Sequence, residues 1–148
     1  MPFARISLHQ GKSAEYLRAL SEGLHEALVE SFEVPQADRF QVIHQHAVGE
    51  LIFDSHYLGG PRSHDFVLIA ITAGRPRSVE TKQRFYRDLV EKLGRATGLN
   101  AEDVMVVITT TASAASADRS NSASKTIMVR NIDGTNTVAS CCASVLKA

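Results

Sequence analysis

The chain has 148 residues, with sixteen basic side chains against sixteen acidic ones and a formal net charge of zero. That length fits one domain, with or without a tail, and is enough to bury a core of its own. Balanced charge excludes the strong positive field that draws proteins onto nucleic acid or anionic lipid, so the expected ligand is small.

No run of residues reaches the ~18 apolar positions of a membrane helix, and the start lacks a basic-then-apolar signal pattern. The expectation is a cytoplasmic protein without membrane contact. Cys141 and Cys142, the two cysteines, are adjacent, so they make neither a disulfide framework nor a metal knuckle.

In chain order, Phe3–Leu8 follows Met1 and Pro2 and reads as a strand. Ser13 suits a helix N-cap with Glu15 in the first turn, and Leu17, Leu20, Leu24, Leu28 and Phe32 recur on one helical face. Val34 and Pro35 stop that helix. Phe40–His44 reads as a second strand, and a connection that contains a helix makes the two strands parallel. Leu51–Phe53 reads as a short extra strand before a turn at Gly59, Gly60 and Pro61. Phe66–Thr72 is a nearly continuous apolar strand. Ser78 caps a second helix that turns Phe85, Leu89 and Leu93 inward, Gly98 ends it, and Val104–Thr110 is a last strand.

An internal repeat underlies this order. At an offset of 65 residues the first 44 residues match residues 66–109 without a gap, with nine identities that include Ile6/Ile71, Ser13/Ser78, Leu24/Leu89 and Asp38/Asp103. Each copy is a βαβ unit with one sticky sheet face and an unpaired edge. The expected fold is therefore α/β (α+β): the two units join into one four-stranded mixed sheet with two helices on one face. The uncovered face favours a homo-oligomer. After Thr110 the stretch TASAASADRSNSAS is small and polar and reads as a linker, followed by a weak strand or two.

Three features stand out: Pro2 before strand one, Pro35-Gln36-Ala37-Asp38-Arg39 before strand two, and Gly74-Arg75-Pro76-Arg77-Ser78 after strand three. Together they resemble the tautomerase superfamily, and within it the PQADR and RPRS segments look most like the malonate semialdehyde decarboxylases. The resemblance implies a tautomerase-like domain over residues 1–111, with repeats 1–46 and 66–111, and a divergent Ser/Ala/Thr-rich tail over 112–148. It also implies a homotrimer, and catalysis by an amino-terminal proline exposed when the initiator methionine is removed. Family members generally continue with a tryptophan- and glycine-rich stretch that borders the site, whereas this chain contains no tryptophan.

With the halves joined antiparallel, as the family's are, Pro2, Asp38, Arg75 and Arg77 reach one edge of the sheet. Asp103 goes to the opposite edge with Val67, the repeat mate of Pro2, where there is no amine, so a second site there is expected to be dead. A mature Pro2 offers a secondary amine, and an α-amino group titrates at roughly 8. Arginines disfavour its cation and Asp38 favours it. Neutral, Pro2 is a base for keto–enol tautomerisation; cationic, it donates a proton or polarises a carbonyl oxygen. Arg75 and Arg77 present forked donors suited to a carboxylate.

The implied substrate is a small oxo acid, handled without metal or organic cofactor. The first expectation is decarboxylation of malonate semialdehyde or a similar 3-oxo acid, with Arg75 and Arg77 on the carboxylate and Asp38 bonded to Pro2 or a water. A Schiff base through Pro2 is an alternative step. A tautomerase or hydratase of small oxo or unsaturated acids, and a catalytically inactive trimeric binding module, are the alternative functions.

Plainer roles compete at each position. Pro2 suits the first position of a strand, Asp38 the start of a turn, and Arg75 and Arg77 a solvated loop. His44 and His46 share a strand face at a spacing that permits metal binding, but no third ligand is visible. His9 ends strand one at the other edge. Arg39, Phe40 and Tyr86 suit either a pocket or an interface.

Overall fold

The structure, a computed structural model, describes residues 2–57 and 61–111 and the backbone of two further strands at 125–130 and 136–141. The expected turn glycines Gly59 and Gly60, the linker over 112–124 and Cys142 lie outside the described residues. The elements are β1 (Phe3–His9), α1 (Ala14–Phe32), β2 (Gln41–His46), β3 (Val67–Ala73), α2 (Val79–Thr97), a short 3-10 turn at Ala101–Asp103, β4 (Val104–Thr110), β5 (Lys125–Arg130) and β6 (Asn136–Cys141).

Local chemistry explains both helices. Ser13 Oγ accepts the Tyr16 N–H at 3.1 Å and Ser78 Oγ accepts the Thr81 N–H at 3.2 Å, so each first turn has its cap. Gly98 ends α2 in left-handed backbone, φ 72°. The second strand begins one residue later than the sequence suggests and runs on to His46. Leu51–Phe53 forms no strand, contrary to expectation: Phe53 stacks on Phe66 with ring centroids 4.2 Å apart, so the segment is held by side chains rather than by a ladder.

The sheet order is β2-β1-β3-β4-β5-β6. Its first four strands are the two βαβ units, with β1/β2 and β3/β4 parallel and β1/β3 antiparallel between them. The tail adds β5 and β6, antiparallel, on the β4 edge. Register carries the repeat into three dimensions. Ile6 pairs with Ile43 and Ile71 with Ile108, the same rung 65 residues on. Across the join Arg5 faces Ala70, its own repeat mate, so a local two-fold axis passes through that pair.

Both helices cover one sheet face. Leu20, Leu24, Leu28 and Phe32 of α1 and Phe85, Leu89 and Leu93 of α2 are buried against Ala4, Ile6, Leu8, Ile69, Ile71, Val106 and Ile108. Leu17 packs at the margin of this core. The helices approach closely where Gly23 lacks a side chain: a Cβ there would lie 3.0 Å from Leu93 Cδ2. By strand alternation the other face carries Arg5 and Ser7 on β1, Val42 and His44 on β2, Leu68 and Ala70 on β3, and Met105 and Val107 on β4. No helix of the described residues is long and apolar enough to cross a membrane.

The edge of the sheet away from Pro2 is filled by the segment that links the two units. Asp103 is buried, and its carboxylate accepts the Ser63 N–H at 2.6 Å and the Ser63 hydroxyl at 2.8 Å. Lys12, the repeat mate of Arg77, pairs with Asp65 and sits over the Tyr16 ring. Buried Arg62 donates to the Tyr57 carbonyl at 2.6 Å. His9 is buried and stacks face to face on His64, centroids 4.3 Å apart.

Burial, then the neighbouring His64 and His46, holds the His9 imidazole below its ordinary value of 6.5. The unfolded chain therefore binds more protons there, and stability falls as pH drops through about 6.5. Replacing His9 by Phe keeps a ring against His64 and should flatten that fall. Urea midpoints near pH 7.5 and 5.5 measure it, and an equally large difference between them in the variant would clear His9 of the effect.

Candidate active site

A cavity of about 330 Å³ opens at the other edge, lined by Pro2, Phe32, Glu33, Val34, Pro35, Asp38, Ala73, Gly74, Arg75 and Arg77. All four residues singled out in the sequence meet there. The local two-fold explains why. Phe3 pairs with Thr72, so the chain entering β1 runs beside the chain leaving β3, and Pro2 comes to lie against Ala73 and Gly74. The segment before β2 is tied to the same edge by the Ala4 N–H, which donates to the Phe40 carbonyl at 3.0 Å.

Asp38 sits in a tight turn closed by its own N–H on the Pro35 carbonyl at 2.9 Å. Buried His25 of α1 steadies this turn, because its Nε2–H donates to the Gln36 carbonyl at 3.0 Å. Pro2 is buried and Asp38 half-buried. The Asp38 carboxylate carries no ion pair among the described residues, so it faces the cavity with its charge unmatched.

The two arginines differ. Arg77 is anchored: one terminal nitrogen donates to the Phe32 carbonyl at 3.0 Å, and the other reaches the Arg75 and Pro76 carbonyls at 3.3 and 3.4 Å. Its guanidinium also lies 5.4 Å from the Phe32 ring centroid, and that ring packs on Phe85 in the core. Phe32 is the last residue of α1, so Arg77 places a cation on a carbonyl that has no partner within the helix. Arg75 is exposed, with no hydrogen bond or ion pair to its guanidinium among the described residues. Of the pair, Arg75 is the one whose fork is free for a carboxylate.

Other candidates fall elsewhere. Tyr86 is buried in the core, where its hydroxyl donates to the Val104 carbonyl at 3.0 Å, and it is not among the residues that line this cavity. Arg39 donates to Ser21 at 2.7 Å, and Phe40 is exposed. His44 and His46 stand with ring centroids 6.3 Å apart, and no group of three metal-ligating side chains gathers among the described residues. His9 is at the far edge. Two residues near the site escaped the sequence reading: Glu33, which lines the cavity, and His25, which braces the Asp38 turn. Glu33 had a signal, because at the 65-residue offset it stands against Gly98.

A family model described as tautomerase enzyme matches residues 38–115, and a second model of the same description matches residues 2–60. Two proteins of Bacillus subtilis (strain 168) are similar over 108 residues, 73% of this chain: "Probable tautomerase YusQ" at 33% identity over 85% of its length, and "Probable tautomerase YrdN" at 36% over 83%. Among solved structures, one of malonate semialdehyde decarboxylase, a protein studied for decarboxylase and hydratase activities, is 33% identical with a TM-score of 0.71, covering 80% of this chain and 91% of that one. A second, FG41 malonate semialdehyde decarboxylase inhibited by 3-bromopropiolate, is 35% identical with a TM-score of 0.69, covering 74% and 83%. A fused 4-OT symmetric trimer shares the fold at 22% identity and a TM-score of 0.61, covering 74% and 85%.

Proposed function

The chain belongs to the tautomerase family of enzymes, and on that premise we propose that it decarboxylates malonate semialdehyde or a similar 3-oxo acid, with Pro2 as the catalytic amine once Met1 is removed. The observation that carries this reading is that one cavity holds Pro2, the unpaired Asp38 carboxylate and the free Arg75 fork. The two malonate semialdehyde decarboxylase structures among its relatives support it.

In this mechanism the substrate carboxylate binds Arg75 through charge-assisted hydrogen bonds. Asp38 favours the cationic form of Pro2. The Pro2 ammonium donates to the carbonyl oxygen of the substrate. The bond between the carboxylate carbon and C2 then breaks, and its electron pair moves into C2 and onto that oxygen as an enolate. Carbon dioxide leaves. The Pro2 N–H stabilises the charge where it develops, which is where an electrostatic donor lowers a barrier most. C2 then takes a proton from water, which leaves hydroxide, and the aldehyde is released. This chemistry calls for neither metal nor organic cofactor. Arg77 holds the end of α1 and the loop that carries Arg75.

A second reading uses the same groups with Pro2 neutral. Taking a proton beside a carbonyl would make the protein a keto–enol tautomerase, and the names of the two Bacillus relatives favour it. We also infer a homotrimer. The sheet face opposite the helices presents Leu68, Ala70, Met105 and Val107 with Val42 40% exposed, a surface suited to burial against further copies, and the trimeric 4-OT fold relative supports that arrangement.

Purified protein whose intact mass shows loss of Met1 should convert 3-oxopropanoate to acetaldehyde and carbon dioxide. In the Arg75→Ala variant KM should rise roughly ten- to hundredfold with a smaller change in kcat, whereas Pro2→Ala should damage kcat more. Turnover of enols with none of the 3-oxo acid would select the tautomerase, and retained Met1 would defeat both enzyme readings in favour of a binding module. Sedimentation at micromolar concentration should show a particle of three chains, and a monomer would contradict the trimer.

A further inference from the structure

The two repeats part company at one backbone position. Both helices are 19 residues long, and each is followed by a residue in left-handed backbone. After α2 that residue is Gly98, φ 72°, which has no Cβ to clash; after α1 it is Glu33, φ 55°, which does. Glu33 is the only non-glycine residue with positive φ among the described residues. The exception therefore falls in the copy that has the cavity, and Glu33 lines that cavity.

Its turn is held on both sides. Arg77 grips the Phe32 carbonyl just before it, and buried Val34 just after it donates its N–H to the Leu28 carbonyl at 3.4 Å. The Glu33 carboxylate itself has no hydrogen bond or ion pair among the described residues. A strained conformation kept at a site, with an unengaged charge on it, points to a use for that charge.

We propose that Glu33 sets the charge selectivity of the cavity, admitting oxo acids with one carboxylate and rejecting those with two. The charged groups around the space are Arg75 and Arg77 against Asp38 and Glu33, together with Pro2. Arg77 keeps its charge, but its terminal nitrogens already donate to three carbonyls, which leaves Arg75 as the guanidinium with an unengaged fork. One ligand carboxylate saturates it. A second carboxylate finds no free fork and meets Asp38 and Glu33 instead, and discrimination by a repulsive element of this kind needs no further contact with the accepted ligand. The inference deepens the oxo-acid reading above and rests on it for the turnover arm of its test.

The test compares 3-oxopropanoate with 3-carboxy-3-oxopropanoate, the same skeleton bearing a second carboxylate. The unaltered enzyme should favour the monocarboxylate in kcat/KM. Glu33→Gln, which keeps the shape and drops the charge, should move the ratio toward the dicarboxylate by roughly tenfold, and the shift should shrink in high salt. Glu33→Gly should move it similarly while raising Tm by roughly 3 °C through relief of the left-handed strain. A second arm needs no catalysis: affinities for 3-hydroxypropanoate and 2-hydroxybutanedioate, read by NMR titration, should change ratio in the same direction. A changed affinity ratio in protein that turns over neither oxo acid would keep Glu33 in this role and discard the decarboxylase. An unchanged ratio in both arms, even with the higher Tm, would overturn the proposal and leave Glu33 a strained helix end.

Discussion

Everything at the site depends on how β1 meets β3. The two strands run antiparallel with Arg5 opposite Ala70, and because these are repeat mates the join creates a two-fold axis through the middle of the sheet. Such an axis makes two equivalent ends. At one, the chain entering β1 lies beside the loop leaving β3 and the turn before β2, so Pro2, Arg75, Arg77 and Asp38 share a cavity. At the other, the equivalent positions hold Val67, Gln10, Lys12 and Asp103. There the same kinds of group serve the fold: Asp103 holds Ser63, Lys12 holds Asp65, and His9 stacks on His64. A one-residue slip of β1 against β3 would turn each side chain of the strand to the other face and undo both ends together.

Much of this was legible in the sequence because it rests on local physics. Ser13 and Ser78 cap helices wherever a helical face follows them, and the apolar spacing of Leu20, Leu24, Leu28 and Phe32 names the buried side without knowledge of the sheet. The repeat then placed Asp38 and Asp103 in equivalent turns. What escaped depends on tertiary partners. Leu51–Phe53 has the composition of a strand, yet Phe53 is drawn onto Phe66. Tyr86 has an amphipathic ring that suits a pocket, but its hydroxyl finds the Val104 carbonyl inside the core. The different duties of Arg75 and Arg77 could not be seen, because they turn on whether the end of α1 offers a carbonyl within reach. Val34 and Pro35 mark the end of that helix by their own chemistry, whereas Glu33 carries no such mark, standing where the usual rule calls for glycine.

The electrostatics of the cavity follow from that division of labour. Arg77 is consumed by Phe32 and its own loop, and it stiffens the frame that carries Arg75. His25 does the same for the Asp38 turn through the Gln36 carbonyl. Two braced loops thus hold opposite charges around a buried proline. Preorganised charge of this kind costs no reorganisation at the moment of reaction, which is the property a carbonyl about to become an enolate requires.

In the proposed mechanism Pro2, freed of Met1, works as a cation in this cavity. Its nitrogen can be followed directly by ¹⁵N NMR in protein labelled at proline and titrated through neutral pH. That mechanism predicts a protonated Pro2 at pH 7, with its midpoint near or above the roughly 8 of an ordinary α-amino group, because the Asp38 and Glu33 carboxylates offset the charges of Arg75 and Arg77 around the same cavity. A midpoint well below neutral would contradict it and make Pro2 a base.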